Sequence, residues 1–394
     1  MTSVVHLGNI QDMNTMRLSV CVIVGQDAEK LPRMLDSVAG IADELIIVST
    51  AGSDKVRNIG RAFGARIREI SWPEDFAAVR NAGFSMARSS WILSLDADEW
   101  LDQTSHSELA SCLESPGVLA WLATIVDRSG INGTPRFSPA PLPRIFHPRP
   151  ELRLAGRVHE HFEPDLHVTA RRLGLEVRSS TINIFHDGYN PDREGGKLRR
   201  NIHLMELELR DRPGQLFYQI RISQALLKID DPRACHFLCQ AWEQIRPPSA
   251  HGSRPSEPLV AELLDSIIVR QSRGEFDSGE TIAKLLELAQ TWYPHWPPLI
   301  WRRANWQFKQ GQVAEAAQSL EEILQLAADG TYQRIPSFDC GILTGETQLN
   351  LGICYARLRQ FDRARRCFSA AATDPKWEAA GQRNLQFISA DVPA

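Results

Sequence analysis

Through the first half of the chain, short unbroken apolar runs alternate with stretches whose apolar residues recur at helical spacing. Leu18–Val24 (LSVCVIV) and Glu44–Val48 (ELIIV) are apolar on both faces, the mark of strands covered on two sides. Between them, Leu31, Leu35 and Val38 fall at helical spacing. The pattern then predicts a helix over Arg57–Phe63, a strand over Ala65–Ile70 and a helix over Phe76–Arg88. A fourth strand, Trp91–Leu95, runs straight into Asp96-Ala97-Asp98-Glu99. Strands separated by helices of about a dozen residues predict parallel βαβ units with right-handed crossovers. Ligands of such sheets collect at the carboxyl ends of the strands. Two polar clusters, Ser49–Asp54 and Asp96–Glu99, fall at those ends.

The pattern changes near Val118. Val118–Val126 is strand-like, Asn132–Pro143 is a proline-rich loop, and strand-like pieces around Ile145 and Thr181–Phe185 flank Gly156-Arg157-Val158-His159-Glu160. After Pro191 the pattern is helical. Four segments, Tyr218–Ile245, Leu263–Leu288, Ile300–Leu326 and Gln348–Ala372, superpose as helix–turn–helix units. The last has Leu351, Gly352, Tyr355, Ala364, Phe368 and Ala371 at tetratricopeptide offsets, with Pro375 close behind, and the third has Ala304, Gly311, Ala316 and Leu320. Small residues there let paired helices approach, and Tyr355, Phe368 and Trp301 are expected to fill the space between them. Arg246–Pro258 is too rich in Pro and Ser for helix and predicts a loop. The expected organisation is a patternless, disordered extension over residues 1–16, an α/β domain over 17–190 and a helical linker with repeats over 191–394.

Composition narrows the function classes. The 394 residues carry 44 Lys and Arg against 48 Asp and Glu, a formal charge of −4, which gives no electrostatic reason to expect nucleic acid as a partner. No apolar run is long enough to cross a bilayer, and the first residues lack the basic and apolar regions of a secretory signal. The 7 cysteines are scattered, which predicts reduced core thiols and a cytoplasmic location. Cys235 and Cys239 share a helix face, but no second pair completes a zinc site.

Asp96 and Asp98 carry the strongest chemistry. In an extended segment both side chains point the same way past the strand end, with Ala97 facing inward. Two convergent carboxylates are costly unless a cation sits between them. A divalent metal carrying phosphate oxygens suits such a pair.

These residues, taken with others, resemble a family 2 glycosyltransferase of the GT-A fold, a Rossmann-like nucleotide-sugar domain. The motifs are Asp27-Ala28-Glu29 after the first strand, the second strand with its turn, Trp72–Asn81 (WPEDFAAVRN) and Trp91–Glu99 (WILSLDADE). Pro143–Phe146 (PRIF), Gly156–Glu160 (GRVHE), His186–Tyr189 (HDGY) and Lys197–Asn201 follow in order. With the helical repeats behind them, they resemble the bacterial subgroup that joins this domain to tetratricopeptide hairpins, which includes sublancin-type S-glycosyltransferases.

The resemblance implies an inverting, metal-dependent transfer from a nucleotide-diphosphate sugar to a peptide, protein or glycan acceptor, with Mg²⁺ or Mn²⁺ as cofactor. Asp98 would bind the metal, and Asp96 the sugar or ribose of the donor. Arg80 would reach the nucleotide, with Asn81 beside it. Glu160 would be the general base. His186 would lie near the metal or the donor phosphates. The plainer alternatives are a solvated helix charge for Arg80, a packing role for His159 and a hydrogen-bonded core histidine at His186. The repeats would bind a protein partner or pair two chains.

One departure stands out. The family usually has an Asp at the end of the second strand, gripping the base, and Ser49 stands there instead. Ser49 still accepts a hydrogen bond, more weakly than an ionised acid. Gln26 is a milder change, and Asp54 survives as a donor-site residue or as a helix cap. Ser49 favours an alternative reading, a degenerate glycosyltransferase-like scaffold that binds partners through its repeats. Intact Asp96, Asp98, Glu160 and Arg80 argue for the enzyme. A nucleotidyltransferase on a similar sheet would need a Gly-rich basic loop after the first strand, which Val24-Gly25-Gln26-Asp27 does not provide.

Overall fold

The computed structural model describes residues 16–25, 28–127, 140–186, 191–246, 255, 257–334 and 336–390. The expected extension over residues 1–16, apart from Met16, lies outside them, as do Gln26, Asp27, Asp187–Tyr189 and most of the Pro-rich loops. The chain divides into two compact units, one ending at Asn190 and the other taking up the chain from Pro191.

In the first unit, β1 (Leu18–Val24), α1 (Leu31–Ser37), β2 (Glu44–Ser49), α2 (Asp54–Ala62), β3 (Arg66–Glu69), α3 (Phe76–Phe84) and β4 (Trp91–Asp96) follow in order. The three apolar strands expected here are found, and α3 stops short of Arg88. Then come β5 (Glu99–Leu101), α4 (His106–Glu114), β6 (Val118–Asp127), β7 (Ala140–Phe146), β8 (Arg153–Ala155), β9 (His161–Glu163), α5 (Leu166–Leu173) and β10 (Glu176–His186). The main sheet runs β3-β2-β1-β4-β7-β6-β10-β5, and β8 and β9 form a separate hairpin. β1, β2, β3 and β4 pair in parallel, as βαβ chirality requires, whereas β7 lies antiparallel to β4 and β5 antiparallel to β10. Leu18, Val20, Val22, Leu93 and Leu95 are wholly or almost wholly buried in the core between sheet and helices. Gly83 lets α3 lie close to the sheet, because a Cβ there would stand 3.0 Å from Val48 Cγ2.

The second unit is a run of helices: α6 (Pro191–Asp211), α7 (Leu216–Leu227), α8 (Arg233–Ile245), α9 (Val260–Ser272) and α10 (Ile282–Trp292), then α11 (Pro297–Lys309), α12 (Val313–Asp329), α13 (Gly345–Arg357), α14 (Phe361–Ala371) and α15 (Glu378–Ala390). α7–α8, α9–α10, α11–α12 and α13–α14 are antiparallel hairpins of tetratricopeptide type, at the four segments expected. Gly352 shows why a small residue is needed, since a Cβ there would come within 2.5 Å of the Phe368 ring. Tyr355 and Phe368 are buried as expected. Trp301 is not: it packs at the margin of two clusters and stays partly exposed. The cysteines are free, but they are not all core residues, because Cys239 is exposed and Cys235 and Cys340 are only half-buried. Among the described residues no helix is long and apolar enough to cross a membrane.

Candidate active site

Asp96 is the last residue of β4, and Ala97 and Asp98 form a turn before β5 begins at Glu99. The turn corrects the expectation that Asp96 and Asp98 project together from an extended segment. A turn breaks the two-residue alternation, so the carboxylates find different partners.

Asp96 meets Arg80. The guanidinium donates through Nη2 to Asp96 Oδ1 at 2.7 Å and through Nε to Glu160 Oε1 at 2.8 Å. Its third nitrogen stands 3.5 Å from Ser94 Oγ. Burial works against charge at Asp96, but the Arg80 and Arg144 guanidiniums outweigh it and hold the carboxyl below the usual range. Burial also disfavours the charged guanidinium of Arg80, yet Asp96 and Glu160 hold it more firmly protonated than usual. Arg80, expected to reach the nucleotide, is engaged by two carboxylates and is 12% exposed.

Glu160 sits in the loop between β8 and β9, and two contacts fix that loop to α3. Asn81 exchanges both ends of its amide with the Leu154 backbone, donating at 2.8 Å and accepting at 3.0 Å. The Phe76 amide donates to the Arg157 carbonyl at 2.9 Å. Asp75 caps α3 by accepting from the Ala78 amide at 2.8 Å. The WPEDFAAVRN motif therefore builds a helix start, a clamp and the Arg80 bridge on one short element. Asn81 is spent on the hairpin backbone and does not join the carboxylate cluster. The loop turns at His159, whose φ of 57° is left-handed and uncommon for a residue with a bulky side chain.

Asp98 meets His186. β10 pairs with β5 so that His186 stands opposite Glu99, and His186 Nε2 lies 3.4 Å from Asp98 Oδ2. Burial disfavours the imidazolium, but the Asp98 carboxylate raises its affinity for a proton above the ordinary value. Beneath the turn, Glu99 accepts from Arg144 Nη2 at 2.6 Å and from the Asp96 amide at 2.8 Å. Arg144 also donates to the Ser94 carbonyl at 3.2 Å. Burial pushes the Glu99 carboxyl up, with Arg144 acting in the opposite sense. Arg144 and Glu99 had no expected role, although PRIF and DADE were both legible. A basic residue in one strand motif and an unassigned acid in another were the available signal.

The remaining two expected residues stand apart from this cluster. Ser49 ends β2, opposite Val24 of β1, while Ile23 stands opposite Asp96. Ser49 is wholly buried and its hydroxyl meets no hydrogen-bond partner among the described residues. Ser49 was expected against the base of the donor, and its hydroxyl is buried at the strand end. Asp54 opens α2, exposed, and accepts from Arg57 at 2.7 Å and 3.1 Å. That is a local helix-start role.

The cluster thus gathers the carboxylates of Asp96, Asp98, Glu99 and Glu160 with the guanidiniums of Arg80 and Arg144 and the His186 ring. Among the described residues no group of three or more His, Cys, Asp or Glu side chains is arranged to hold a metal alone. Asp98 and His186 supply an oxygen and a nitrogen in a cluster with surplus negative charge. Such a donor set fits a divalent cation that takes its other ligands from phosphate oxygens and water.

The model of glycosyl transferase family 2 matches residues 19–165. The chain carries a family 2 glycosyltransferase domain. Its sheet is mixed and largely parallel, and tetratricopeptide-like hairpins follow the domain. A TPR repeat-containing protein of Synechococcus elongatus is 33% identical over 276 residues, which cover 67% of this chain and 64% of that protein. The SPbeta prophage-derived glycosyltransferase SunS of Bacillus subtilis is 24% identical over 223 residues, covering 52% and 49%. The chain therefore spans between about half and two thirds of the length of these curated relatives. The solved structure of S. aureus TarS 1–349 with UDP-GlcNAc is 12% identical, covers 70% of this chain and 91% of that chain, and has a TM-score of 0.38. That likeness is too slight to bear on the site of the glycosyltransferase domain.

Proposed function

We propose that the chain transfers a sugar, with inversion, from a nucleotide-diphosphate sugar to a nucleophilic acceptor on a peptide, protein or glycan. The observation that carries this reading is the Arg80 bridge, which brings Glu160 from a distant loop to the strand end bearing Asp96 and Asp98. Glu160 Oε1 is held by Arg80, and Oε2 accepts no hydrogen bond among the described residues. Glu160 is the general base. It takes the proton from the acceptor while the acceptor atom bonds to the anomeric carbon. The bond from that carbon to the diphosphate oxygen breaks, and its electron pair leaves with the nucleoside diphosphate. A single displacement of this kind inverts the anomeric centre.

Asp98 and His186 would hold Mg²⁺ or Mn²⁺, which supplies positive charge to the departing diphosphate. Asp96, oriented by Arg80, faces the donor sugar or ribose. The free cysteines and the family placement favour a cytoplasmic enzyme, with the helical hairpins as a surface for a protein partner or a second copy.

The test is transfer from a panel of nucleotide sugars with Mn²⁺, in wild type, Asp98→Asn and Glu160→Gln. Asp98→Asn should abolish the effect of Mn²⁺ on donor binding, because the amide keeps the shape without the charge. Glu160→Gln should leave donor binding near normal while transfer falls by about two to four orders of magnitude. Wild-type transfer by Glu160→Gln would remove the assignment of the base. The buried Ser49 favours a second reading, a degenerate scaffold, which turnover of no donor in the panel would support.

A further inference from the structure

The turn that carries Asp98 joins two strands held very differently. β4 lies inside the sheet, whereas β5 is an edge strand of three residues paired with β10. A strand so short gains few ladder hydrogen bonds, so its position depends on other contacts. At its far end, the Leu101 amide donates to Ser37 Oγ at 3.1 Å. At its near end, the contacts come from Arg144 on β7 and from Glu99 itself.

Arg144 and Glu99 are 13% and 3% exposed, and their side chains meet at 2.6 Å. β4 and β7 pair at Ile92–Phe146 and Leu93–Ile145. One residue further along β4, the Ser94 carbonyl accepts from a side chain, Arg144 Nη1 at 3.2 Å. One guanidinium thus ties β4 to the first residue of β5. The other oxygen of Glu99 accepts from the Asp96 amide at 2.8 Å, which closes a ring around Ala97 and Asp98. Taking two charges out of water costs about as much as their attraction returns, so such a pair contributes little net stability. What it supplies here is shape.

We infer that Arg144 and Glu99 are positioning residues for the Asp98–His186 pair, an inference that rests on the metal reading given above. Glu99 follows Asp98 in the chain and stands opposite His186 across β5 and β10. Fixing Glu99 therefore fixes both sides of the 3.4 Å approach between Asp98 Oδ2 and His186 Nε2. Closure at the Asp96 amide anchors the other end of the turn, where Asp96 meets Arg80. Two ligands held in place bind a cation without first having to order the turn. Arg144 and Glu99 are too deeply buried to meet the donor, so they act through Asp98 and His186.

The test is Mn²⁺ binding to the full chain, read by electron paramagnetic resonance with UDP, GDP, CDP and ADP in turn, and circular dichroism reads the fold of each variant. Glu99→Gln presents one acceptor and one donor, so it cannot accept from Arg144 and from the Asp96 amide together. It should bind Mn²⁺ about 10–100-fold more weakly than wild type. Arg144→Lys keeps the charge but loses the planar fork that spans Glu99 and the Ser94 carbonyl, and its affinity should fall between those two. Glu44→Gln is the control: it removes a buried carboxylate at the amino end of β2, away from the turn, and should keep wild-type affinity. Wild-type affinity in folded Glu99→Gln, or an equal loss in Glu44→Gln, would overturn the positioning role and leave the metal reading standing. Failure of both Glu99→Gln and Arg144→Lys to fold would make the pair a structural requirement and overturn the role as well. Wild-type protein that binds no Mn²⁺, or Asp98→Asn that binds it equally well, would overturn the metal reading and this inference with it.

Discussion

Replacing Arg80 with Met keeps the length of the side chain and removes the charge between Asp96 and Glu160. The structure sets the size of the effect. Arg80 makes two charge-assisted hydrogen bonds, at 2.7 and 2.8 Å, from a guanidinium that is 12% exposed. Removing one partner of a buried ion pair costs about 3–5 kcal/mol, because the other charge is left uncompensated. Asp96 remains 33% exposed, so solvent relieves part of that cost and the lower end of the range applies. A loss of about 3 kcal/mol lowers the melting temperature of a domain of this size by about 6–12 °C. Calorimetry of the full chain reads the shift. Isothermal titration with the donor reads binding in the same preparation. The expected result is a lower melting temperature and slower transfer, with donor affinity changed much less, since Arg80 points at protein carboxylates. Arg80→Lys should restore part of the stability through one retained pair. An unchanged melting temperature with donor affinity lost would refute the reasoning and return Arg80 to the nucleotide.

Three other predictions test particular contacts. Glu44 is buried and accepts from Ser19 at 2.6 Å, from the Arg88 amide at 3.0 Å and from Arg66. Burial opposes its ionisation, but these donors prevail and hold it below the usual range, so its contribution is present above the unfolded carboxyl value of about 4.3. Glu44→Gln should therefore cost about 1–3 kcal/mol in denaturant melts at pH 7, with the gap closing as pH falls through the folded value; a gap that widens on acidification would contradict this. Gly352→Ala should lower stability by about 1–3 kcal/mol despite the better helix former, because the new methyl meets the Phe368 ring; a stabilised variant would mean that α13 and α14 readily move apart. Ser49→Ala removes a buried hydroxyl without a hydrogen-bond partner among the described residues and should raise stability by about 1 kcal/mol with donor binding unchanged; a clear loss of donor affinity would show that Ser49 turns to face the ligand.

Local pattern carried a large part of this molecule. Both-face apolar runs set β1, β2 and β4, and helical spacing with small residues set the hairpins α7–α8 through α13–α14. The order of strands and helices alone put Asp96 at the carboxyl end of a buried strand, because parallel βαβ units leave that end open. What pattern could not carry is who meets whom. Arg80 and Glu160 lie 80 residues apart and join only because the β8–β9 hairpin is clamped to α3 by Asn81. His186 reaches Asp98 because β10 pairs antiparallel with the three-residue β5, a strand too short to announce itself by periodicity. Arg144 meets Glu99 because β7 packs beside β4, a pairing reached across a long excursion of chain. Periodicity states which face of an element is buried; pairing across the sheet decides which charges then stand opposite one another. The same division holds at Ser49 and Trp301: their places in their elements were legible, but only packing made one a sealed hydroxyl and left the other partly exposed at the margin of two clusters.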